Sequence, residues 1–220
     1  MDYDEFAKSW DGHILELINV SAKKAHAIDK KHKQIVDGAC KVFFQKGYHP
    51  TSIREISEAA GMSMGQMYHY ISTKDDVLFL IHRHMQTGWY KYLTDNLHEN
   101  PEDPVKTLTD ALRLTIEFHS THKKLIQFIY SESKYLSKPH LKVVLQMDDQ
   151  NVVQFWRELL IAVQQKTGLD IDINAYANIL VFLNVFMPLR GWNLKDRPAD
   201  AYKQQLLRFA LKAIGIPVSS

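Results

Sequence analysis

Residues 47–78 read GYHPTSIREISEAAGMSMGQMYHYISTKDDVL, and three helix starts are crowded into them. Thr51/Ser52 precede IREISEAA, Ser63 precedes MGQMYHY, and Ser72/Thr73 precede KDDVLFLIHRHM. A hydroxyl at a helix start accepts a hydrogen bond from an orphan amide of the first turn. Two starts also carry the reciprocal partner three residues on, Glu55 for Ser52 and Gln66 for Ser63. The spacing predicts a short helix over 53–60, a sharp Gly61-Met62-Ser63 turn and a second short helix over 64–70. Upstream, Ile35, Ala39, Val42 and Phe43 recur at i, i+4, i+7 and i+8, and Gly47 marks that helix's stop. Ile53, Ile56, Ala60, Met62, Met67 and Ile71 are spaced to lock the short pair onto it. Two helices joined by a short glycine-containing turn form a helix-turn-helix, whose second helix can enter a DNA major groove. Met64, Gly65, Gln66, His69 and Tyr70 are left facing outward, a polar and aromatic face with no acid on it, which suits a polyanion.

Outward from this segment no alternating strand pattern appears, and most of the chain reads at helical spacing. After the HENPEDP break, Val105, Leu108, Leu112 and Ile116 mark one helix and Leu125–Tyr130 a second apolar segment. Leu141, Leu145, Val152, Trp156, Leu159 and Val163 mark a long third, stopped by Gly168. Asn174–Leu189 is strongly apolar, and a last helix after Pro198 carries Tyr202, Leu206, Phe209 and Ala213 and ends at Gly215. Ahead of the motif, Phe6, Trp10, Ile14, Leu15 and Ile18 recur at helical spacing in an acidic stretch, so an extra helix that docks on protein rather than DNA is expected. The fold class is all-α. A helical amino-terminal extension (1–28) leads to a small three-helix head (29–89), followed by a larger helical bundle (90–220).

At 220 residues the chain can bury a full core, and 45% hydrophobic with 24% charged residues argues against wholesale disorder. No apolar run approaches a membrane span, the acidic start has the wrong charge for a secretory leader, and a cytoplasmic location is expected. The single cysteine, Cys40, excludes an internal disulfide framework and any multi-cysteine zinc site, and its apolar helix face makes it inert core. Residues 21–92 hold a local charge of +5 within a total of +2, a weak pointer to nucleic acid, since on charge alone a solvated lysine-rich helix face explains it better.

The GYHPTSIREISEAAGMSMGQMYHYISTKDDVL stretch, with IVDGACKVFFQKG before it, resembles the tetracycline-repressor (TetR/AcrR) family of bacterial transcription regulators. The likeness covers about sixty residues closely and the rest by helix count and length. Where the family commonly has His then Phe after the tyrosine, this chain has Tyr70 and Ile71. The resemblance implies that Thr51 and Ser52 cap the second helix and touch a phosphate, with Arg54 reaching backbone or a base edge. Ser63 would present the recognition helix, Met64 lies on its outward face, and Gly65 would permit close approach to the duplex. Gln66 would make paired bonds to adenine, worth about 1–3 kcal/mol of discrimination. Tyr68, His69, Tyr70 and Lys74 would position the backbone, a half-buried core tyrosine and a solvated lysine being the alternatives for Tyr68 and Lys74.

The resemblance further implies a small-molecule effector in the larger domain and a homodimer through the last two long helices. Aromatic and methionine-rich positions there supply pocket candidates: Phe118, Phe128, Tyr130, Met147, Phe155, Trp156, Phe182 and Phe186, with the polar His119 and His122. Tyr176, Ile179, Leu183, Tyr202, Leu206 and Phe209 are the interface candidates.

Three competing signals are weaker. Gly61-Met62-Ser63-Met64-Gly65 matches the G-x-S-x-G elbow of serine hydrolases, but the residues before it have helical rather than strand period. His119 and His122 with Glu117 could hold a metal, yet no H-E-x-x-H pattern supports one. His82 and His84 face apart on one helix. The expectation is a ligand-responsive repressor that binds a palindromic double-stranded operator, with no enzyme activity, cofactor, metal or membrane partner. For its effector, an apolar or amphipathic molecule, the resemblance leans to a fatty-acyl or aromatic compound, coenzyme A thioesters included. The alternative is a helical small-molecule-binding protein or enzyme without operator binding.

Overall fold

Thirteen α-helices and no strand are found among the described residues, which in this computed structural model are 3–18, 25–194, 196 and 198–217. Contacts divide the chain into two units, 1–88 with 128–147 and 89–127 with 148–220.

In the first unit, α3 (Ala25–Lys46) buries Ile35, Val36, Ala39 and Phe43 and stops at Gly47, whose φ of 84° is open to glycine at little cost. α4 (Ile53–Ala59) and α5 (Met64–Met67) lie beyond it, joined by a turn at Gly61. Gln34 of α3 donates to the Ala60 carbonyl at 2.6 Å, and one turn on, Gly38 meets Ala60 so closely that a Cβ would lie 2.6–2.7 Å from its backbone. α6 (Lys74–Asn96) opens on Asp76, whose carboxylate accepts from the Ser72 and Thr73 amides at 2.7 and 3.0 Å.

The amino-terminal extension is two short helices, α1 (Tyr3–Lys8) and α2 (Asp11–Leu17), rather than one. Phe6, Trp10, Ile14 and Ile18 are all buried, and Trp10 packs on Phe79 of α6 at 5.6 Å. Arg83 of α6 pairs with Asp11 at 3.2 Å and Asp29 at 2.8 Å. The extension therefore docks on its own chain. The side chain of Leu15 lies outside the described residues, as do positions 19–24.

Helix α8 (Lys123–Glu132) and α9 (Lys138–Met147) contribute residues 128–147 to the same unit. Phe128 stacks on Phe43 at 5.1 Å, Tyr135 on Tyr48 at 5.7 Å, and His140 bonds Asp75.

The second unit is built on α7 (Pro104–Thr121), α10 (Gln154–Thr167), α11 (Ile173–Asn184), α12 (Phe186–Arg190) and α13 (Ala199–Ile214). Asp103 and Pro104 start α7, and Gly168 and Gly215 end α10 and α13 in the left-handed region at φ 72° and 93°. Its core includes Leu108, Leu112, Trp156, Leu160, Val163, Ala177 and Leu180. Two expected helices are interrupted. The long third contains a π-helical stretch over Asp148–Val153, and Asn174–Leu189 breaks after Asn184, α11 and the helical residues after it being bent by 47°. Pro188 accounts for the second break, because it lacks the N–H that Asn184's carbonyl needs.

Three histidines are held neutral: burial pulls His32, His82 and His119 each down to about 4. Unfolded histidine takes its proton near 6.5. The unfolded state thus binds more protons between these values, so their stabilisation is complete above about pH 6.5 and lost as pH falls toward 4. Asp148 works in the opposite sense, since burial raises it to about 6 and acid relieves its cost. With three groups against one, urea unfolding is expected to give a lower stability at pH 5 than at pH 7.5. Each histidine accounts for roughly 2 kcal/mol at most, and His82→Gln should shrink the difference. Equal stability at the two pH values would contradict this.

Candidate nucleic-acid interface

Both short helices of the head begin on complete capping boxes. The Ser52 hydroxyl accepts from the Glu55 amide at 3.2 Å while Glu55 accepts from the Ser52 amide at 2.9 Å. Ser63 accepts from the Gln66 amide at 3.2 Å and Gln66 Oε1 accepts from the Ser63 amide at 3.0 Å. These caps let a seven-residue and a four-residue helix hold shape where length alone would not. α5 is shorter than the expected 64–70. His69 and Tyr70 continue it as a tighter turn, their amides donating three residues back to Gln66 and Met67. Met67 and Ile71 are buried beneath, and the Tyr70 carbonyl bonds His32 Nε2 of α3 at 3.2 Å.

What remains outside is Ser63, Gly65, Gln66, Tyr68 and His69, with Tyr68 53% exposed. Met64 is only partly exposed, its sulfur accepting from the Ser57 hydroxyl at 3.3 Å. Oε1 of Gln66 serves the cap and its amide nitrogen does not, so a single donated bond to a base leaves the helix start intact. Arg54 is exposed beside this face and paired with Glu58 at 3.1 Å. Glu55 is held down to about 2 by its bonds from Lys46 and Ser52, and the Lys46 ammonium neutralises it. The resulting face is polar and donor-rich, with a helix N-terminus of a kind that attracts phosphate.

Two expected contacts are corrected by their surroundings. Thr51 is 2% exposed and donates its hydroxyl to the Gly47 carbonyl at 2.8 Å, so Ser52 alone caps α4 and Thr51 has no hydroxyl to offer a phosphate. Lys74 donates to the carbonyls of Tyr48, His49 and Thr51 at 2.9, 3.1 and 2.9 Å, and lies 4.4 Å from the Tyr48 ring centroid. Three ammonium protons meet three carbonyls, which makes Lys74 the tie that shapes the turn before α4. The G-x-S-x-G reading also fails, because α4, not a strand, precedes Ser63 and its hydroxyl serves the cap.

The expected pocket residues are divided between the two units. Phe128, Tyr130 and Met147 belong to the first unit, and Phe118, His119, His122, Phe155, Trp156, Phe182 and Phe186 to the second. Tyr130 and Phe182 are 47% and 63% exposed, Phe186 is also exposed, and Trp156 is fully buried core. His122 is exposed and stacks on Phe118 at 4.1 Å. Of the interface candidates, Ile179 and Phe209 are exposed at 52% and 61%, and Tyr176 is partly so. Leu206 instead joins Ile116 and Met187 in a core cluster against which Leu183 and Tyr202 pack, and Phe209 lies at the exposed edge of the same α13 stripe. Sequence reasoning missed Gly38, His32 and Asn184. An isolated glycine inside a helical apolar stripe was the signal for the first.

Residues 35–81 match the family model described as bacterial regulatory proteins, tetR family. The head of the chain is thus similar to the tetR family. A curated relative, the HTH-type transcriptional regulator HbdR of Aromatoleum sp. (strain CIB), is 31% identical over 85 residues, which span 39% of this chain and 37% of that protein. The matched region thus covers well under half of the relative. Among solved structures, a bacterial regulatory protein in the tetR family from Rhodococcus RHA1 aligns with TM-score 0.69 at 20% identity, covering 86% of this chain and 99% of that one. AibR, solved in complex with isovaleryl coenzyme A and operator DNA, aligns with TM-score 0.64 at 20% identity over 84% and 96%. At such identities the likeness is one of fold, and it takes in the helices beyond the head as well.

Proposed function

We propose that this protein is a ligand-responsive, DNA-binding transcriptional repressor that acts as a homodimer. The observation that carries the reading is the capped α5 face, with Gly65, Gln66, Tyr68 and His69 exposed and no acid among them. In a helix-turn-helix such a face enters the major groove, while the N-terminus of α4, Arg54 and Tyr68 hold phosphates. Residues 29–89 form the DNA-binding part, and 90–220 carry effector binding and dimerisation.

A second copy of the chain is the partner that suits the exposed Ile179, Phe182, Phe186 and Phe209 of α11 to α13, since so many large apolar groups are costly to leave in water. Two heads related by a twofold axis read half-sites about 34–36 Å apart. Residues 128–147 pack in the head's own unit through Phe128–Phe43, Tyr135–Tyr48 and His140–Asp75. An effector that displaces this segment re-aims α5 without touching it, provided it binds the two arrangements with different affinity. The isovaleryl coenzyme A held by AibR supports an acyl or similarly apolar effector.

A mobility-shift assay on the DNA flanking the gene, against scrambled duplex, tests the reading. Specific binding that weakens steeply with salt is expected. Equal binding to both duplexes would instead favour a helical ligand-binding protein or enzyme without an operator.

A further inference from the structure

We propose that the break between α11 and α12, braced by His119, is a small-molecule site at which the Asn184 side-chain amide receives an uncharged carbonyl-type oxygen; it rests on the effector reading above. Pro188 leaves the Asn184 carbonyl without its helical donor, and His119 of α7 fills the gap with Nδ1 at 3.3 Å. The carbonyl of Pro188 itself accepts from Gln127 Nε2 at 2.8 Å. Two side chains from other helices therefore hold an interrupted backbone. One group is left over: Nδ2 of Asn184 is buried with no acceptor, in a residue 2% exposed. Buried amide donors are nearly always bonded, so an unpartnered one beside a broken helix points to an oxygen supplied from outside.

The chemistry of that oxygen follows from the surroundings. A carbonyl can only accept, so Nδ1 of His119 carries the proton and Nε2 presents a lone pair. Burial pulls His119 down to about 4, and no lysine, arginine or carboxylate is among the groups that shift it. A carboxylate ligand would be stripped of water there without a counter-charge, whereas a ketone, ester, thioester or amide oxygen needs only the Asn184 donor. Phe182 and Phe186 flank Asn184 in sequence and are exposed, so a ligand that favours one bend also re-aims this apolar face.

The full-length protein, without DNA, is titrated with 2-octanone and acetophenone as carbonyl probes, ethylbenzene as a probe lacking an acceptor, and octanoate as a charged one. Calorimetry gives affinities, and NMR follows the side-chain amide of Asn184. The carbonyl probes are expected to bind at least tenfold tighter than ethylbenzene or octanoate and to shift the Asn184 amide signal. Asn184→Leu should lose tenfold or more for the carbonyl probes and less than twofold for ethylbenzene. Unchanged carbonyl binding in Asn184→Leu, no probe binding to the wild type, or a static Asn184 signal (a buried water only) would overturn the site. The wild-type NMR signal decides the matter even if Asn184→Leu does not fold. Loss of operator specificity with probe binding intact would sink the regulator reading and leave the site standing.

Discussion

Replacing Gly38 with alanine is expected to lower the melting temperature by roughly 5–10 °C and to abolish specific DNA binding. The new Cβ would lie 2.6–2.7 Å from N, Cα and Cβ of Ala60, and two of those atoms are backbone that no rotamer change can move. α4 must shift off α3, taking the Gln34–Ala60 bond and the aim of α5 with it. Overpacking of this kind costs about 1–3 kcal/mol, at times more, against a gain of about 0.5–1 kcal/mol from replacing glycine in a helix. In a chain of this length each kcal/mol moves the melting point by about 2–4 °C, so the upper part of that cost range sets the expectation. Gly65→Ala is the control. Nothing lies within 4 Å of its added methyl, so melting should hold or rise slightly while operator affinity falls, the duplex being the only thing the methyl meets. A Gly38→Ala protein that melts and binds like wild type would refute the α3–α4 packing described here.

Trp10→Ala should cost about 3–5 kcal/mol, the range for removing a buried aromatic side chain. Trp10 and Phe6 are fully buried, and Arg83, 9% exposed, is held through its guanidinium by Asp11 and Asp29. Loosening α1–α2 thus uncovers Phe79 and strips a buried cation of one carboxylate. Chemical unfolding followed by tryptophan-independent circular dichroism measures the loss. Unchanged stability would show that the amino-terminal helices do not dock on α6.

Elements with a strong local signature were legible in the sequence, and those set by a third partner were not. Ser52/Glu55 and Ser63/Gln66 sit at fixed spacing, so both caps could be read directly. The apolar stripe of α3, the glycine stops and the Asp103-Pro104 start were equally local. Thr51 and Lys74 were misread because their partners, the carbonyls of residues 47–51, become visible only once the chain turns. Leu206 and Phe209 share one helical stripe in sequence, yet a three-residue step turns them far enough for one to meet Ile116 while the other meets water. The pocket residues were chosen by composition, which carries no information on where a cavity opens.

The central claim is that the α5 face reads DNA, and selection from a random duplex pool tests it most directly. Wild-type protein should enrich a palindrome whose half-sites lie about one helical turn apart. Gln66→Ala should enrich the same palindrome with one base position per half-site relaxed, at a cost of about 0.5–1.5 kcal/mol there for a single lost bond. Recovery of no palindrome, or of an identical one with every base preference retained in Gln66→Ala, would contradict the account.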